Sequence, residues 1–139
     1  MSAVLLDTGP LVAFLNRRDA FHEWAKEQLA DIAPPLLTCD AVVAEACYLL
    51  RDLRGGSAAV MRMIERKQVV SSFRVQDESA SIRKLLEKYA GVPMDLADAC
   101  LVRMSEQYSQ PRLLTLDGDF RVYRRHGRQT IPLVIPDRV

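Results

Sequence analysis

Four acidic residues stand at points where folding would bring them together: Asp7, Glu45, Asp98 and Asp117. Asp7 directly follows the apolar run 3–6, and Asp117 directly follows the run 112–116. Both runs have the character of strands buried within a sheet. The other two acids fall in the early turns of segments with helical spacing. Because helices begin where parallel strands end, all four side chains are expected at one edge of a sheet.

Clustered carboxylates repel one another, and this repulsion indicates what they bind. Two carboxylates about 4 Å apart repel by roughly 4 kcal/mol at an effective dielectric constant of 20. Such groups either take up protons or recruit cations, and their hard oxygen atoms favour divalent ions such as Mg²⁺. A bound divalent ion makes its water easier to deprotonate and neutralises charge on a phosphate. The pattern therefore predicts metal-assisted attack of water on a phosphodiester.

The residues that other reaction classes require are missing. The chain has only two histidines, and it contains neither a GxSxG motif nor a Cys–His arrangement. No P-loop or GxGxxG motif is present, which disfavours nucleotide cofactors. The three cysteines form no CxxC pair, so neither a zinc site nor a disulfide scaffold is predicted. Since the formal charge is only +1, a nucleic-acid surface must come from local clustering of cations.

Short apolar runs alternate with amphipathic segments along the whole chain. The predicted strands are 3–6, 36–38, 69–75, 112–116 and 131–135; the predicted helices are 10–15, 21–30, 41–53, 57–67, 77–90 and 93–108. This alternation indicates an α/β fold with a central, mainly parallel sheet and helices on both faces. No linker divides the chain, so a single domain over 1–139 is expected. No apolar run reaches the roughly 18 residues of a membrane span, and the unpaired cysteines fit a reducing cytoplasm.

The acids and their neighbours also match a known family in order and spacing. The matching residues are the segment 5–8 (Leu-Leu-Asp-Thr), the lone helical Glu45, Asp98-Ala99 at the opening of a helix, and the segment 115–120 (Thr-Leu-Asp-Gly-Asp-Phe). Together they resemble PIN-domain ribonucleases, and the chain's size and C-terminal strand resemble the VapC-type toxins of toxin–antitoxin pairs. The resemblance extends from about residue 4 to residue 135. It implies a three-layer α/β/α sandwich and RNA cleavage that depends on Mg²⁺ or Mn²⁺.

The resemblance assigns a role to each of the four matched acids. Asp7 and Asp98 are expected to be direct ligands of the metal. Glu45 and Asp117 are expected to bind metal directly or through water, and to help set the attacking water. All four are therefore expected to be both metal-binding and catalytic.

Four further residues lie beside the matched acids. The hydroxyl groups of Thr8 and Thr115 correspond to hydroxyl positions of the family, where they would hold a metal-bound water or orient a carboxylate. Asp95 and Asp119 are additional acids in the same neighbourhood. Either of them belongs to a second metal site or is simply solvated, and the sequence leaves both options open.

The family also implies partners. An RNA substrate, a small antitoxin protein and a homodimer are expected, without membrane association. The aromatic residues Phe14, Phe21 and Trp24 lie on the early helices, in the neighbourhood that receives an antitoxin segment in VapC-like proteins. Core packing is the simpler explanation of these three side chains.

The densest group of cations follows Asp117 and consists of Arg121, Arg124, Arg125 and Arg128. Arginine forks suit phosphate oxygens, so this group is expected to contact RNA close to the cleaved bond. A solvated surface loop is the alternative. The two explanations differ in what mutation would do, because loss of phosphate contacts weakens binding broadly and reduces its salt dependence.

Simpler explanations stand beside the catalytic one. With Asp95 as N-cap, Asp98 occupies the third helical position, where an acid completes a capping box. Asp7 alone could be a turn residue. At the level of function, a non-catalytic module that binds RNA or protein is the alternative to an enzyme. An aspartyl nucleophile at Asp7 is a third hypothesis, but dehalogenase-like phosphatases need an acid two residues later, where this chain has Gly9.

Overall fold

The computed structural model describes all 139 residues, which form a central parallel sheet covered by helices. In chain order the elements are β1 (Ser2–Leu6), α1 (Thr8–Leu15), α2 (His22–Asp31), β2 (Leu36–Cys39), α3 (Asp40–Leu49), α4 (Gly56–Glu65), β3 (Val69–Phe73), α5 (Val75–Lys88), α6 (Leu96–Glu106), β4 (Gln110–Leu114), a short 3₁₀ turn (Gly118–Arg121), β5 (Arg124–Arg125), β6 (Gln129–Thr130) and β7 (Leu133–Val134). The predicted α/β class with a mainly parallel central sheet is confirmed.

The sheet has the strand order β3-β2-β1-β4-β7, and all four pairings are parallel. Strand β1 pairs with β4 along its whole length, from Ser2 opposite Gln110 to Leu6 opposite Leu114. The chain winds from β1 towards β2 on one side and places β4 on the other. Ligand sites in open parallel sheets form at such a reversal, outside the carboxyl ends of the strands. Here that point lies just beyond β1 and β4.

The core is apolar where the two central strands pass through it. Leu5 and Leu6 of β1 and Leu113 and Leu114 of β4 are fully buried, as expected for strands covered on both faces. They belong to one hydrophobic cluster of 26 buried residues, to which helices α1, α3, α4, α5 and α6 also contribute. Helix α1 packs against α2, α3 and α4, whereas α5 packs against α6. The ends of β1 and β4 are therefore held rigidly by their own packing.

Helix α6 is more deeply buried than a helix on the face of a sheet needs to be. Eight of its 11 residues are buried, and its first turns carry small side chains such as Ala97, Ala99 and Cys100. Small residues let a helix approach its neighbours closely. This burial takes Asp98, in the first turn, out of bulk water with the helix.

Several helix boundaries differ from the prediction, and at the starts of α1 and α6 the reason is a side chain that caps the helix. Helix α1 begins at Thr8 rather than at Pro10, since Asp7 is its N-cap and accepts a hydrogen bond from the Thr8 N–H at 2.8 Å. Helix α6 begins at Leu96, after Asp95, and not at residue 93. Helix α3 ends at Leu49, four residues before its predicted end. The remaining helices agree with prediction to within two residues.

The C-terminal third departs most from prediction. Strand β4 ends at Leu114, and the predicted strand 131–135 contains only the two ladder residues of β7. Between them lies an unpredicted antiparallel hairpin, β5–β6, which turns at His126 and Gly127 with φ of 50° and 78°. No helix of the structure is long and apolar enough to cross a bilayer.

One glycine contact joins the two central strand ends. Gly9 lies in the first turn of α1, and a Cβ added there would sit 3.1 Å from the Cβ of Leu116. That separation is tighter than ordinary van der Waals contact. Glycine thus allows the helix after β1 to lie directly against the turn after β4.

Candidate active site at the ends of β1 and β4

Asp7 is a buried carboxylate at the end of β1, with 7% of its surface exposed. Its Oδ1 accepts the Thr8 N–H at 2.8 Å, and its Oδ2 accepts the Thr115 hydroxyl at 2.7 Å. Burial nevertheless raises the pKa of Asp7 to about 6, because the ionised form loses water and two hydrogen bonds only partly replace it. The negative charges of Asp117 and Glu45 raise this pKa further.

Thr115 connects Asp7 to Asp117. The Thr115 hydroxyl is buried, donates to Asp7 and accepts the Asp117 N–H at 2.9 Å, so its proton has a fixed direction. Asp117 in turn accepts the Asp119 N–H on Oδ1 at 2.9 Å, which opens the 3₁₀ turn. Asp119 therefore contributes its backbone to the geometry of Asp117. Thr115 lies where the sequence predicts an orienting hydroxyl.

Asp98 both completes a helix cap and lies in the acid cluster, two positions that the sequence leaves as alternatives. Asp95 is the N-cap of α6 and accepts the Asp98 N–H at 2.8 Å, while the Asp98 Oδ2 accepts the Asp95 N–H at 3.2 Å, which completes a capping box. Asp98 is also only 8% exposed, and burial raises its pKa to about 7. The charges of Asp95, Asp7 and Asp117 contribute to the same increase. The capping residue is thus also a member of the acid cluster.

Glu45 is half-buried on α3, and its side chain forms no hydrogen bond or ion pair within the protein. Its charge reaches Asp7, as the pKa of Asp7 shows. The structure therefore brings Glu45, Asp98 and Asp117 within electrostatic reach of Asp7. Asp95 is exposed at the edge of this group.

No cation neutralises the cluster. The five ion pairs of the protein involve Glu23, Asp77, Glu87, Glu78 and Glu106, and none includes the four predicted acids. Neighbouring negative charges help to raise the pKa of Asp7 and of Asp98, but no three His, Cys, Asp or Glu side chains already converge on a common point for a metal ion. The Thr8 Oγ1 beside them is buried and is the one buried side-chain polar atom without a hydrogen-bond partner. This donor set consists of hard oxygen atoms, which fit a divalent cation.

The predicted arginine group does not act as one surface. Arg121 and Arg128 are exposed, and Arg124 is half-buried with one nitrogen bonded to backbone carbonyls. Arg125 contradicts the expectation of phosphate contact, because it is only 8% exposed. Its guanidinium donates to the carbonyls of Ser105 and Tyr108, both at 2.7 Å, and to the side chain of Gln129 at 2.9 Å. Arg125 is a structural cation, which the β5–β6 hairpin turns inward.

Tyr123 is a residue of the site that the sequence analysis does not identify. It is fully buried, and its hydroxyl lies 2.8 Å from the Pro93 carbonyl and 3.4 Å from the Oδ2 of Asp98. Its position within a strongly basic segment hides it in the sequence. The available signal is an aromatic residue three positions after Phe120, a spacing at which two rings can pack in a turn.

A parallel sheet with a buried carboxylate at the end of β1 and a half-buried one after β4 defines a class of α/β proteins with an acidic cluster at the switch point. The PIN domain model matches residues 4–125, and the chain belongs to the PIN domain family. It is 27% identical over 134 residues to ribonuclease VapC26 of Mycobacterium tuberculosis, which covers 94% of this chain and 93% of that protein. Its fold is similar to the crystal structure of VapC20, a sarcin–ricin-loop-cleaving toxin from Mycobacterium tuberculosis. The TM-score is 0.76 and the identity 23%, and the match covers 86% of this chain and 94% of that one.

Proposed function

We propose that this protein is an endoribonuclease that hydrolyses RNA phosphodiester bonds with a divalent cation, Mg²⁺ or Mn²⁺. The observation that carries the proposal is the uncompensated acid cluster: two carboxylates, Asp7 and Asp98, are more than nine-tenths buried, have raised pKa values and form no ion pair with a cation. Such an arrangement costs folding free energy, so a ligand that neutralises it is the simplest reason for its presence. Membership of the PIN domain family and similarity to a ribonuclease support the same activity.

The four acids would have different roles in the metal site, according to how their backbones are held. Asp7 and Asp98 would hold the metal, since each has a fixed backbone position at a strand end or a helix start. Asp117 and Glu45 would complete the site, directly or through water. When bound, the divalent ion would supply a more acidic water and neutralise charge on the phosphate.

The hydroxyl groups support this arrangement. Thr115 donates to Asp7, which keeps one carboxylate oxygen in a fixed orientation. Thr8 has a buried, unpartnered Oγ1 that can bond a water of the metal or a phosphate oxygen. Asp119 would act through its N–H on Asp117, and Asp95 through the cap of α6.

The RNA would contact exposed cations in the segment that follows Asp117. Arg121 and Arg128 are exposed and are proposed as phosphate contacts, with Arg124 at the margin. Arg121 is the last residue of the 3₁₀ turn that Asp117 caps, so the first of these cations is close to the acid cluster in the chain.

We further propose a cytoplasmic toxin whose partner is a small antitoxin, with the chain over 1–139 acting as a single domain and as a homodimer; the similarity to VapC20, a toxin, supports the toxin role. An apolar groove supports the partner: Phe14, Leu29 and Ile32 are among the residues that line a cavity of about 370 Å³ beside α1 and α2. Phe21 and Trp24 are partly buried rather than free, and an arginine covers the ring of Phe21. An amphipathic segment of a partner could occupy such a groove.

The direct test is cleavage of RNA by purified protein free of any partner. Cleavage should require Mg²⁺ or Mn²⁺, should stop with a chelator, and should fall at least about 100-fold in Asp7→Asn and Asp98→Asn. The matched control is Asp77→Asn, which alters an exposed acid already paired with Arg74 and should retain full activity. Cleavage that survives chelation, or is unaffected by both pocket substitutions, would exclude the proposed mechanism.

One observation favours a second candidate, a non-catalytic module that binds RNA or protein. No three acidic side chains converge on a metal position, so a catalytic ion would have to draw them closer together. This candidate predicts that the protein binds RNA but leaves it intact in the presence of Mn²⁺. Turnover that depends on Asp7 would exclude it.

A further inference from the structure

The hydroxyl of Tyr123 contacts Asp98, a member of the acid cluster, from the interior of the protein. It lies 2.8 Å from the Pro93 carbonyl and 3.4 Å from the Oδ2 of Asp98. The ring is held on two sides, edge-on to Phe120 at 5.3 Å and to Tyr89 at 5.2 Å between centroids. A fully buried ring with two such neighbours cannot swing its hydroxyl away, so the contact with Asp98 is built in.

Both polar contacts of the Asp98 carboxylate fall on the same oxygen, and the Tyr123 hydroxyl shares its single proton between this oxygen and the nearer Pro93 carbonyl. The Oδ2 faces the Asp95 N–H at 3.2 Å and the Tyr123 hydroxyl at 3.4 Å, whereas the Oδ1 accepts none. The terminal torsion of an aspartate is broad, and one long hydrogen bond fixes it poorly. A second polar contact on the same oxygen restricts this rotation and leaves the lone pairs of Oδ1 available.

Tyr123 also connects the two halves of the pocket. Its N–H bonds to the carbonyl of Asp119, so Tyr123 belongs to the turn that begins at Asp117. Its hydroxyl contacts the loop and first turn of α6, which carry Pro93 and Asp98. A shift of either element is therefore passed through this side chain to the other.

We propose that Tyr123 is a positioning residue for Asp98: its hydroxyl fixes the orientation of the carboxylate and presents the Oδ1 for ligation of the cation. The role rests on the proposed function, since it concerns how the same site binds its metal. Tyr123 itself contacts neither the metal nor the RNA. Its contribution lies in having Asp98 correctly oriented before the cation arrives.

The test compares two substitutions that each remove one buried tyrosine hydroxyl. Tyr123→Phe removes the contact with Asp98 and keeps the ring. Tyr89→Phe is the matched control, because that hydroxyl is also buried but accepts the Arg124 N–H at 2.9 Å and touches no acid. Calorimetric titration with Mn²⁺ should show about 10-fold weaker binding in Tyr123→Phe and less than about 2-fold in Tyr89→Phe. Equal affinities in both variants would overturn the proposal.

A double substitution separates positioning from general structure. In the Asp98→Asn background, Tyr123→Phe should cause no further loss of Mn²⁺ affinity, because the group through which it acts has changed. A loss of the same size in both backgrounds would overturn the proposal. If Tyr123→Phe lowers the melting temperature too far for titration, 3-fluorotyrosine at position 123 keeps the hydroxyl and should restore both folding and Mn²⁺ affinity.

A metal-independent measurement distinguishes failure of this role from failure of the proposed function. In crystals of the metal-free protein, the Asp98 carboxylate should rotate or become disordered in Tyr123→Phe and should stay in place in Tyr89→Phe. An unmoved carboxylate would overturn the positioning role even if the enzyme is active. Conversely, a wild-type protein that neither binds Mn²⁺ nor cleaves RNA would overturn the proposed function, while the orientation of Asp98 would still decide whether Tyr123 positions it.

Discussion

Asp98 and Arg125 are equally buried, each 8% exposed, but the protein surrounds their opposite charges very differently. Arg125 donates four hydrogen bonds, three to backbone carbonyls and one to a side-chain amide. Asp98 has one backbone N–H at 3.2 Å, a tyrosine hydroxyl at 3.4 Å and further negative charges nearby. Polar groups thus compensate the cation within the fold, while the anion has only two long polar contacts.

This contrast separates structural from functional burial of charge. A buried charge whose partners are all supplied by the chain stabilises one conformation and has no reason to bind anything else. A buried charge without sufficient partners lowers stability and persists where a ligand completes it. The raised pKa of Asp98, caused first by burial, is the measurable sign of that deficit.

The largest expected effect is on stability, from removing the compensated cation. Arg125→Ala should lower the free energy of unfolding by about 3 kcal/mol, since two buried carbonyl groups and the hairpin lose their donor. Urea unfolding followed by circular dichroism measures this change. Arg128→Ala, at an exposed position of the same segment, should change stability by less than about 0.5 kcal/mol. Similar values for the two variants would show that Arg125 is not structural.

Asp7, the other buried acid without an ion pair, should instead make the folded protein less stable when it is ionised. The pKa of Asp7 is about 6 in the folded protein and near 4 when unfolded, so the folded state holds the extra proton between these values. Without metal, the contribution of Asp7 to stability should therefore fall as the pH rises from 4 to 7 and stay low above it. Asp7→Asn should be more stable than wild type by about 2 kcal/mol at pH 8, with little difference at pH 4.

Thermal and urea unfolding over this pH range, in the presence of a chelator, measure the effect. Mn²⁺ should raise the stability of the wild type at pH 8 and leave Asp7→Asn nearly unchanged. If the wild type gains stability from pH 4 to 7 relative to Asp7→Asn, ionised Asp7 does not destabilise the metal-free protein, and the prediction is wrong.

Thr115 offers a smaller perturbation of the same pocket. Thr115→Val removes the donor to Asp7 and leaves the Asp117 N–H without its acceptor, which should cost about 1 kcal/mol. The pKa of Asp7 should rise further, because the lost hydrogen bond lowers it in the native protein. Carbon-13 NMR of the carboxyl groups reports this pKa, and Thr130→Val, at an exposed position in β6, is the control. An unchanged pKa would show that the hydroxyl does not stabilise the charge of Asp7.

The smallest effects concern the exposed cations. In the inactive Asp7→Asn background, Arg121→Ala and Arg128→Ala should each weaken RNA binding about 3-fold. Each should also reduce the slope of log affinity against log salt concentration by about one. Arg83→Ala, on the exposed face of α5, should have no effect. Fluorescence anisotropy at several salt concentrations is sufficient. A change in sequence preference alone, without a change in salt dependence, would argue against phosphate contact.

The acid cluster could be predicted from the sequence because it depends on few long-range facts. Asp7 and Asp117 follow strands, and in a parallel sheet strand ends meet whatever the details of packing. The capping box of Asp95 and Asp98 was also open to prediction, since it is a local pattern over four residues. The exact first residues of α1 and α6 could not be predicted, because a single capping hydrogen bond decides where each helix begins. The sequence does not show which of several possible caps forms.

The surroundings of Arg125 and Tyr123 could not be predicted from the sequence. Both lie in one basic segment, where neighbours of similar type give no pattern that separates inward from outward side chains. Arg125 points inward because a hairpin turns at His126 and Gly127, and Tyr123 matters because of a contact with a residue 25 positions away. Each depends on tertiary geometry rather than on local propensity.

The close approach of Gly9 to Leu116 has a consequence for how the activity could be tuned. Any side chain at position 9 would press on the side chain of Leu116. Leu116 directly precedes Asp117, and position 9 lies two residues after Asp7. A substitution there would therefore disturb the chain beside both acids while leaving every ionisable group in place.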